Sequence, residues 1–454
     1  MSDPYTRGEV QAPREFRRPW LRSDRPVVRR LARPVESFVR LEAGSALVLV
    51  AAAVAALAWA NVSSMGYESF WEQRLTISVG SLELDEDLRH WVNDLLMALF
   101  FFLIALEVKR EVLFGDLSDR RLAVTPVAAA IGGMVVPALV YLAINSGAGG
   151  EPDGWAIPVA TDVAFALGVL AVIGKMAPGP LRAFLLTVAI VDDIATIVII
   201  AIFFSSGISL IWLGGAAGCV AVILLLQRLS FRHLAPFVAL AALLWIAVHE
   251  SGVHATIAGV VLGLLTPSRP FHLPGPTADV ISVQLSDLRD DTDLDVGEET
   301  MRQVAHFAEE AASPLARMEN SVHPWSAYMI LPLFALANAG VPITTTGLGE
   351  VFTGAIGLGI VVGLVVGKPL GLLGATALAV KLTGAKLPRD VDLTAVACLG
   401  FVAGIGFTVA LFISALAFPG GEQLEQAKTA ILLASVLASG LGVAAFAVRH
   451  ARRR

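Results

Sequence analysis

Apolar residues in this chain gather into long blocks instead of alternating with polar ones. Twelve blocks, near 43–61, 92–113, 122–145, 155–175, 181–204, 208–227, 235–249, 253–267, 325–344, 354–380, 393–417 and 427–448, reach or approach the length of a spanning helix. A helix needs about 20 mostly apolar residues to cross the hydrocarbon of a bilayer. The pattern therefore predicts an all-α polytopic membrane protein with 12 transmembrane helices, of which the seventh and eighth are the shortest.

Polar positions between the blocks assign the sides. Arg120 and Arg121, Lys175 and Arg182, Arg228 and Arg232, Lys381, Lys386 and Arg389, and the terminal Arg449 to Arg454 fall on one side, together with a basic N-terminus. The opposite connections hold Glu83, Asp85, Glu86 and Asp87, then Glu151 and Asp153, then Glu422 and Glu425. Basic loops stay cytoplasmic, so both termini are expected on the cytoplasmic side of the membrane. Residues 1–40 read as a basic arm without a stable fold, 41–450 as the membrane domain, and 451–454 as a basic tail.

Two connections are long. The outer one, 66–91, alternates through Arg74 to Val79, meets Gly80, and resumes at Ser81 to Leu84, which predicts a β-hairpin. An isolated hairpin is marginal in water, so a second copy of the chain is a candidate partner. The inner connection, 268–324, is acidic between Asp279 and Glu319. Glu299 to Met318 suits a surface helix, whereas Asp287 to Asp295 suits a solvated linker, because it lacks the spacing of a Ca²⁺ loop.

Composition agrees with this picture and narrows it. Of 454 residues, 56% are hydrophobic and only 16% charged, with mean hydropathy +0.72. A soluble domain covers itself with more charge than that. A net charge of −6 and the lack of a basic stripe with interleaved aromatics argue against nucleic acid as a partner. Cys219 and Cys398 each fall inside a predicted span, which leaves neither a disulfide framework nor a thiolate metal site. The arm carries ten arginines between Arg7 and Arg40 but no apolar core, so it is no secretory signal, and anionic lipid is its simplest neighbour.

The candidate chemistry lies where charge enters the apolar blocks. Asp192 and Asp193 sit side by side within Leu181 to Phe204. Each ionised Asp at a helix centre costs about 2.5–3.5 kcal/mol on insertion scales, so such groups face a protein interior, an ion path or a proton path. Helical neighbours point about 100° apart, so one carboxylate can face a fixed partner while the other faces an aqueous cavity. The pair points to cation or proton translocation, with two hydrogen-bonded structural carboxyls as the alternative.

In the fourth block, Pro158 and the pair Thr161-Asp162 disfavour a regular helix at mid-span. An interrupted helix leaves carbonyls and amides unpaired, which is tolerated where they line a cavity. Thr161 offers a hydroxyl there, and Asp162 can offset the positive end of a half-helix or merely cap a kink. The eleventh block repeats the theme at Gly400, Gly404 and Gly406, where close helix packing is the competing explanation. Breaks in corresponding halves point to a transporter's binding site. Lys368, deep in the tenth block, must pair with a carboxylate such as Asp192, compensate a half-helix end, or snorkel.

At the inner end of the second block, Glu107, Lys109, Arg110 and Glu111 form either a solvated rim or a cation-collecting, proton-sensing funnel. His249 and His254 sit at an outer hairpin between blocks, where an imidazole can sense pH or simply hydrogen-bond. No HExxH, GxSxG or Walker-type run occurs, so hydrolytic and nucleotide-driven chemistry lacks support. Asp162 with Asp193 could mimic an intramembrane aspartyl protease, but the Gly-x-Gly-Asp context is missing. A channel or a carrier for another solute remains the third reading.

Taken together, several runs resemble the NhaA-type bacterial Na⁺/H⁺ antiporters. They are Ala160-Thr161-Asp162 through Gly168, Val191-Asp192-Asp193, Ser251 through His254 to Thr256, Leu333 through Asn338 to Val341, Gly367-Lys368-Pro369-Leu370-Gly371 and Gly404-Ile405-Gly406-Phe407-Thr408. Asn93-Asp94 and Leu106-Glu107 through Glu111 match as well, and the likeness spans about 36 to 448 in order.

The resemblance implies a secondary transporter, not an enzyme, that exports Na⁺ or Li⁺ against protons and needs no cofactor. It implies inverted-topology repeats, segments three to five related to ten to twelve, with broken helices four and eleven crossing at the midplane. Asp193 would be the principal ligand of Na⁺, with Asp162 and Thr161 nearby, and Asp192 would pair with Lys368. Glu107, Arg110, Glu111 and His254 would lie in regions tied to pH response, and the outer hairpin would join two protomers. The arm and the acidic stretch from Asp279 to Glu319 exceed the family core, so no role transfers to their charges.

Overall fold

The computed structural model describes residues 42–79, 82–147, 149–205, 207–290 and 294–453. The basic arm expected at 1–40 lies outside the described residues. In hydrocarbon a backbone must satisfy its own amides, and the described chain is helical almost throughout.

The first helix, α1 (Glu42–Val62), is apolar on all sides and leads into the short α2 (Ser64–Trp71). Strands β1 (Arg74–Val79) and β2 (Leu82–Asp87) then pair antiparallel, from Arg74 opposite Asp87 to Val79 opposite Leu82. Next come α3 (Leu88–Phe114), α4 (Arg120–Asn145), a 3₁₀ helix (Pro152–Val159), α5 (Val163–Ile173) and α6 (Pro180–Phe203). They are followed by α7 (Leu210–Arg228), α8 (Leu234–Glu250), α9 (Thr256–Leu265), α10 (Pro274–Asp290) and α11 (Leu294–Glu310). Helix α12 (Pro314–Trp325) runs through a π-helical turn into α13 (Leu331–Asn338), and α14 (Thr345–Thr353) precedes α15 (Ala355–Thr383). The chain ends with α16 (Leu393–Ala403), α17 (Phe407–Ala417) and α18 (Gly421–Arg453).

Seven of these helices, α1, α3, α4, α6, α7, α15 and α18, are individually long and apolar enough to cross a bilayer. Two bent pairs each make a further candidate span: Pro152–Val159 with α5, bent by 43°, and α16 with α17, bent by 52°. Helices α8 and α9 are apolar but shorter, at 17 and 10 residues. Large aliphatic side chains such as Ile131, Val135, Leu139, Ile202, Leu210 and Ile211 stand exposed on the outer surface. That surface suits lipid tails and would be unfavourable against water. The chain is a multi-pass membrane protein.

The structure redraws several boundaries. The ninth apolar block, expected at 325–344, is helical only to Asn338, but its helix begins at Pro314 within the supposed loop. The surface helix expected over Glu299 to Met318 is two helices, because Ser313 caps α12 and Pro314 occupies its first turn. The solvated linker expected over Asp287 to Asp295 is helical where it is described, because α10 runs on to Asp290 and α11 starts at Leu294, and residues 291–293 lie outside the described residues. At the C-terminus no separate tail starts at 451, since α18 runs on to Arg453.

Close packing of α4 on α15 organises the centre. A Cβ on Gly132 would lie 2.2 Å from the Gly371 carbonyl oxygen, and one on Gly371 would lie 2.0 Å from that of Gly132. Only glycine allows these backbones to meet, as small residues do at crossings in membranes generally.

On the basic side, Asp392 caps α16 by accepting the Ala395 amide at 2.9 Å. It also takes Arg449 of α18 at 3.0 Å and pairs with Arg453. Burial alone would raise its carboxyl, but the Ala395 amide, the Thr394 hydroxyl and Arg449 hold it down to about 2. The folded value lies below the unfolded one of about 3.9, so its stabilisation is complete above that pH and is lost as pH falls towards the folded value. Thermal unfolding in detergent should show Asp392→Asn below wild type at pH 7, with the gap closing between about pH 4 and pH 2. A gap independent of pH would refute this linkage.

Candidate functional site

Three helices bring the charged residues of the apolar blocks together. On α6, Asp192 and Asp193 are both buried, and their side chains diverge as helical neighbours must. Pro369 cannot donate to the carbonyl four residues back, and the turn before Lys368 widens into the π-helical stretch Gly363–Gly367. The fully buried Lys368 Nζ then lies 3.2 Å from Asp192 Oδ2 and donates to the Val159 carbonyl at the end of the 3₁₀ half-helix. Lys368 thus both pairs with a carboxylate and compensates a negative half-helix end.

The two breaks meet directly. The Asp162 amide donates to the Ile405 carbonyl at 2.7 Å, joining one interrupted segment to the other. Asp162 Oδ1 accepts the Phe165 amide at 2.9 Å and so caps α5. Its Oδ2 accepts the Thr408 amide at 3.0 Å and the Thr408 hydroxyl at 2.6 Å, at the first turn of α17. One carboxylate therefore faces the positive ends of two half-helices. Thr161 Oγ1 donates to Asp192 Oδ2 at 2.7 Å, with the Ala403 carbonyl at 3.1 Å as a second acceptor. Pro158 is buried within the 3₁₀ turn, and Gly404 and Gly406 frame the other break. A Cβ at Gly404 would lie 2.4 Å from the Leu364 carbonyl oxygen, so close packing and chain interruption coincide there.

Against this fixed network Asp193 stands apart. It forms no hydrogen bond or ion pair among the described residues, and it lines a cavity of about 380 Å³. Asp162, Thr161, Thr408, Ser45, Glu107 and His323 line the same cavity. Asp192 and Lys368 lie behind the cavity wall, and Asp192 Oδ1 is buried without a partner among the described residues. Because the Asp162 oxygens already accept three hydrogen bonds, Asp193 is, of the two aspartates at the cavity, the one with oxygens free to take a cation or a proton.

The remaining candidates separate. Glu107 belongs to the cavity, but Arg110 pairs with Glu319 of α12 at 2.5 Å. Burial raises the Glu319 carboxyl, and Arg110 and His323 act against it. Glu111 accepts the Asp116 amide at 2.7 Å beyond the end of α3, and Lys109 donates to the Leu264 and Thr266 carbonyls at the end of α9. His254 packs edge-on against Phe412, with ring centroids 6.2 Å apart, away from the cavity lining. Sequence reasoning did not single out Thr408, Glu319 or His323 as site residues. Thr408 was detectable as a hydroxyl in the first turn after a break, whereas Glu319 and His323 sat in a stretch read as loop.

Known proteins resemble this chain over most of its length. The sequence model described as Na⁺/H⁺ antiporter 1 matches residues 36–446. The chain belongs to this Na⁺/H⁺ antiporter family. It is 45% identical to Na(+)/H(+) antiporter NhaA 2 of Sorangium cellulosum, with 92% of this chain and 91% of that protein covered. Similarity to Na(+)/H(+) antiporter NhaA of Rhodopirellula baltica is 43% identity over 91% of this chain and 93% of the relative. The Na(+)/H(+) antiporter NhaA 1 of Klebsiella pneumoniae shares 42% identity, with 90% and 94% covered. Within an antiporter family the pairing of a free carboxylate with a cavity is intelligible, because a cation and a proton are alternative occupants of such a group.

Proposed function

We propose that this protein is an electrogenic Na⁺(Li⁺)/H⁺ antiporter that exports Na⁺ in exchange for protons by alternating access. One observation carries the reading: Asp193 is buried at a cavity with no hydrogen bond among the described residues, beside an Asp192–Lys368 pair bonded to Thr161 and Val159 of the first broken segment. Na⁺ or H⁺ on Asp193 neutralises the carboxylate, and the neutral site can change the side it faces at far lower cost than the bare anion. Asp162 adds negative potential to the Na⁺ site, with the Thr161 hydroxyl oxygen nearby. Lys368 and Asp192 couple occupancy to the positions of the half-helices they hold.

The finer features follow the same reading. The helices comprise 12 spans in inverted repeats, α4 to α6 related to α15 to α18, with both termini on the cytoplasmic side of the inner membrane. The cavity then opens inward past Glu107, where Arg110, Glu111 and, farther off, His254 contribute to pH response. The hairpin at 66–91 joins two protomers. With two protons entering per Na⁺ expelled, one net charge moves inward, worth about 2.3 kcal/mol per 100 mV of membrane potential.

Purified protein in vesicles with an imposed pH gradient tests the reading. Added Na⁺ or Li⁺ should collapse the gradient and generate a potential of the sign that net inward charge requires. A gradient indifferent to Na⁺ refutes antiport, and collapse without a potential refutes the stoichiometry.

A further inference from the structure

Outside the ion site, a cluster of ionisable side chains surrounds Glu310 at the end of α11. Its side chain is only 6% exposed, yet three basic groups from three segments converge on it. Arg232, from the connection between α7 and α8, lies 2.5 Å from Oε1. His272, from the connection between α9 and α10, lies 2.8 Å from Oε2. His306, one turn earlier on α11, lies 3.5 Å from Oε1. The backbone joins in, because the Glu310 carbonyl accepts the Phe271 and His272 amides at 3.2 and 3.3 Å. The Arg232 guanidinium also sits over the Phe271 ring, 5.0 Å from its centroid.

Three residues after Glu310, Ser313 caps α12, and the Leu315 amide donates to the Pro267 carbonyl at 3.0 Å. Helix α12 carries Glu319, paired with Arg110, and His323, which shares the cavity lining with Glu107. We infer that Glu310 is a positioning residue of the ion path: it anchors the start of α12 to the α7–α8 and α9–α10 connections and so places Glu319 and His323 at the Glu107 end of the cavity. The inference rests on the reading of that cavity as the Na⁺ path. With its carboxylate held by three basic side chains and its backbone carbonyl by two amides, Glu310 leaves the three-residue connection to α12 little freedom, so a shift there is passed to the helix start.

The test compares wild type, Glu310→Gln, Glu310→Asp, Glu319→Gln and the Glu310→Gln/Glu319→Gln double variant in vesicles. Glu310→Gln should raise the Na⁺ concentration for half-maximal exchange about fivefold with the maximal rate within about twofold, and Glu310→Asp should recover most of it. In the Glu319→Gln background the substitution should add nothing, as for residues acting through one element. An unshifted half-saturation, or the same shift with and without Glu319, overturns the inference, as does a loss confined to maximal rate. If Glu310→Gln does not reach the membrane, Arg232→Gln carries the same expectation, and wild-type half-saturation in it is equally decisive.

A readout independent of transport separates this inference from the functional reading. Spin labels at Val112→Cys and Asn320→Cys, with both native cysteines replaced by alanine, report the spacing of α3 and α12. Glu310→Gln should shift or broaden that spacing, and an unchanged distribution overturns the inference. Wild-type protein that ignores Na⁺ would defeat the functional reading alone.

Discussion

Asp193→Asn is expected to abolish Na⁺-dependent proton exchange, to below about one hundredth of the wild-type rate, or about 2.7 kcal/mol in transition free energy. Asparagine has nearly the same shape but can neither release a proton nor balance a cation. The substituted site resembles the occupied one permanently, so nothing remains to be exchanged. Because Asp193 forms no hydrogen bond or ion pair among the described residues, folding should be spared, with membrane level and thermal midpoint at or above those of wild type. The vesicle assay for Na⁺-driven collapse of the pH gradient measures the first expectation and a detergent melt the second. Wild-type exchange in Asp193→Asn would remove this residue from the ion site. Asp162→Asn should differ in kind, since its carboxylate caps two half-helices and the change should lower stability and Na⁺ affinity together.

Lys368→Ala carries the largest expected effect on stability. The substitution strands the Asp192 carboxylate with Thr161 as its one remaining hydrogen-bond donor and leaves the Val159 carbonyl without its ammonium. Removing one member of a buried ion pair costs about 3–5 kcal/mol, most of it from the charge left uncompensated. The thermal midpoint of the purified variant should fall by several degrees. Asp192→Asn in the same chain should restore most of the loss, because the stranded charge is then gone. Equal midpoints for Lys368→Ala and wild type would show that the pair contributes nothing to the fold, and failure of the double variant to recover would assign the loss to packing. Transport should respond differently, with Na⁺-driven exchange surviving in the double variant at reduced rate and altered charge movement.

Both expectations depend on which of two adjacent aspartates does what, and that division was only half legible in the chain. Helical geometry requires Asp192 and Asp193 to diverge. It does not say which faces Lys368. The choice follows from the packing of α4 on α15 through Gly132 and Gly371, in the helix that carries Lys368, together with the π-helical turn that precedes it. The breaks were partly legible as well, since Pro158 cannot donate to a helix ladder, whereas Gly404 and Gly406 permit an interruption without requiring one. Their mutual bonding was not, because the bond from Asp162 to the Ile405 carbonyl joins residues 243 positions apart.

The inner connection shows the opposite failure. Its acidity suggested solvent, and charge at that density is indeed poorly suited to a hydrophobic core. Yet Glu310 and Glu319 are among its buried residues, each facing basic groups supplied from elsewhere: Arg232 and His272 for one, Arg110 for the other. A buried carboxylate is tolerable when partners are present, and partners distant in sequence cannot be read from local composition.

The sequence by itself determined the membrane class, because apolar blocks of spanning length admit few other environments. It also determined that charges at Asp162, Asp192, Asp193 and Lys368 needed a purpose, because insertion of each is costly, and that Pro158 disfavours a regular helix in the fourth block. Tertiary structure alone decided which charges are bound and which is free. Lys368 and Thr161 hold Asp192 through Oδ2, Thr408 and two half-helices satisfy Asp162, and Asp193 is left at the cavity. The physical reason is that hydrogen bonds and ion pairs at membrane depth act over about 3 Å between helices far apart in the chain, whereas hydrophobicity and backbone breaks act within one.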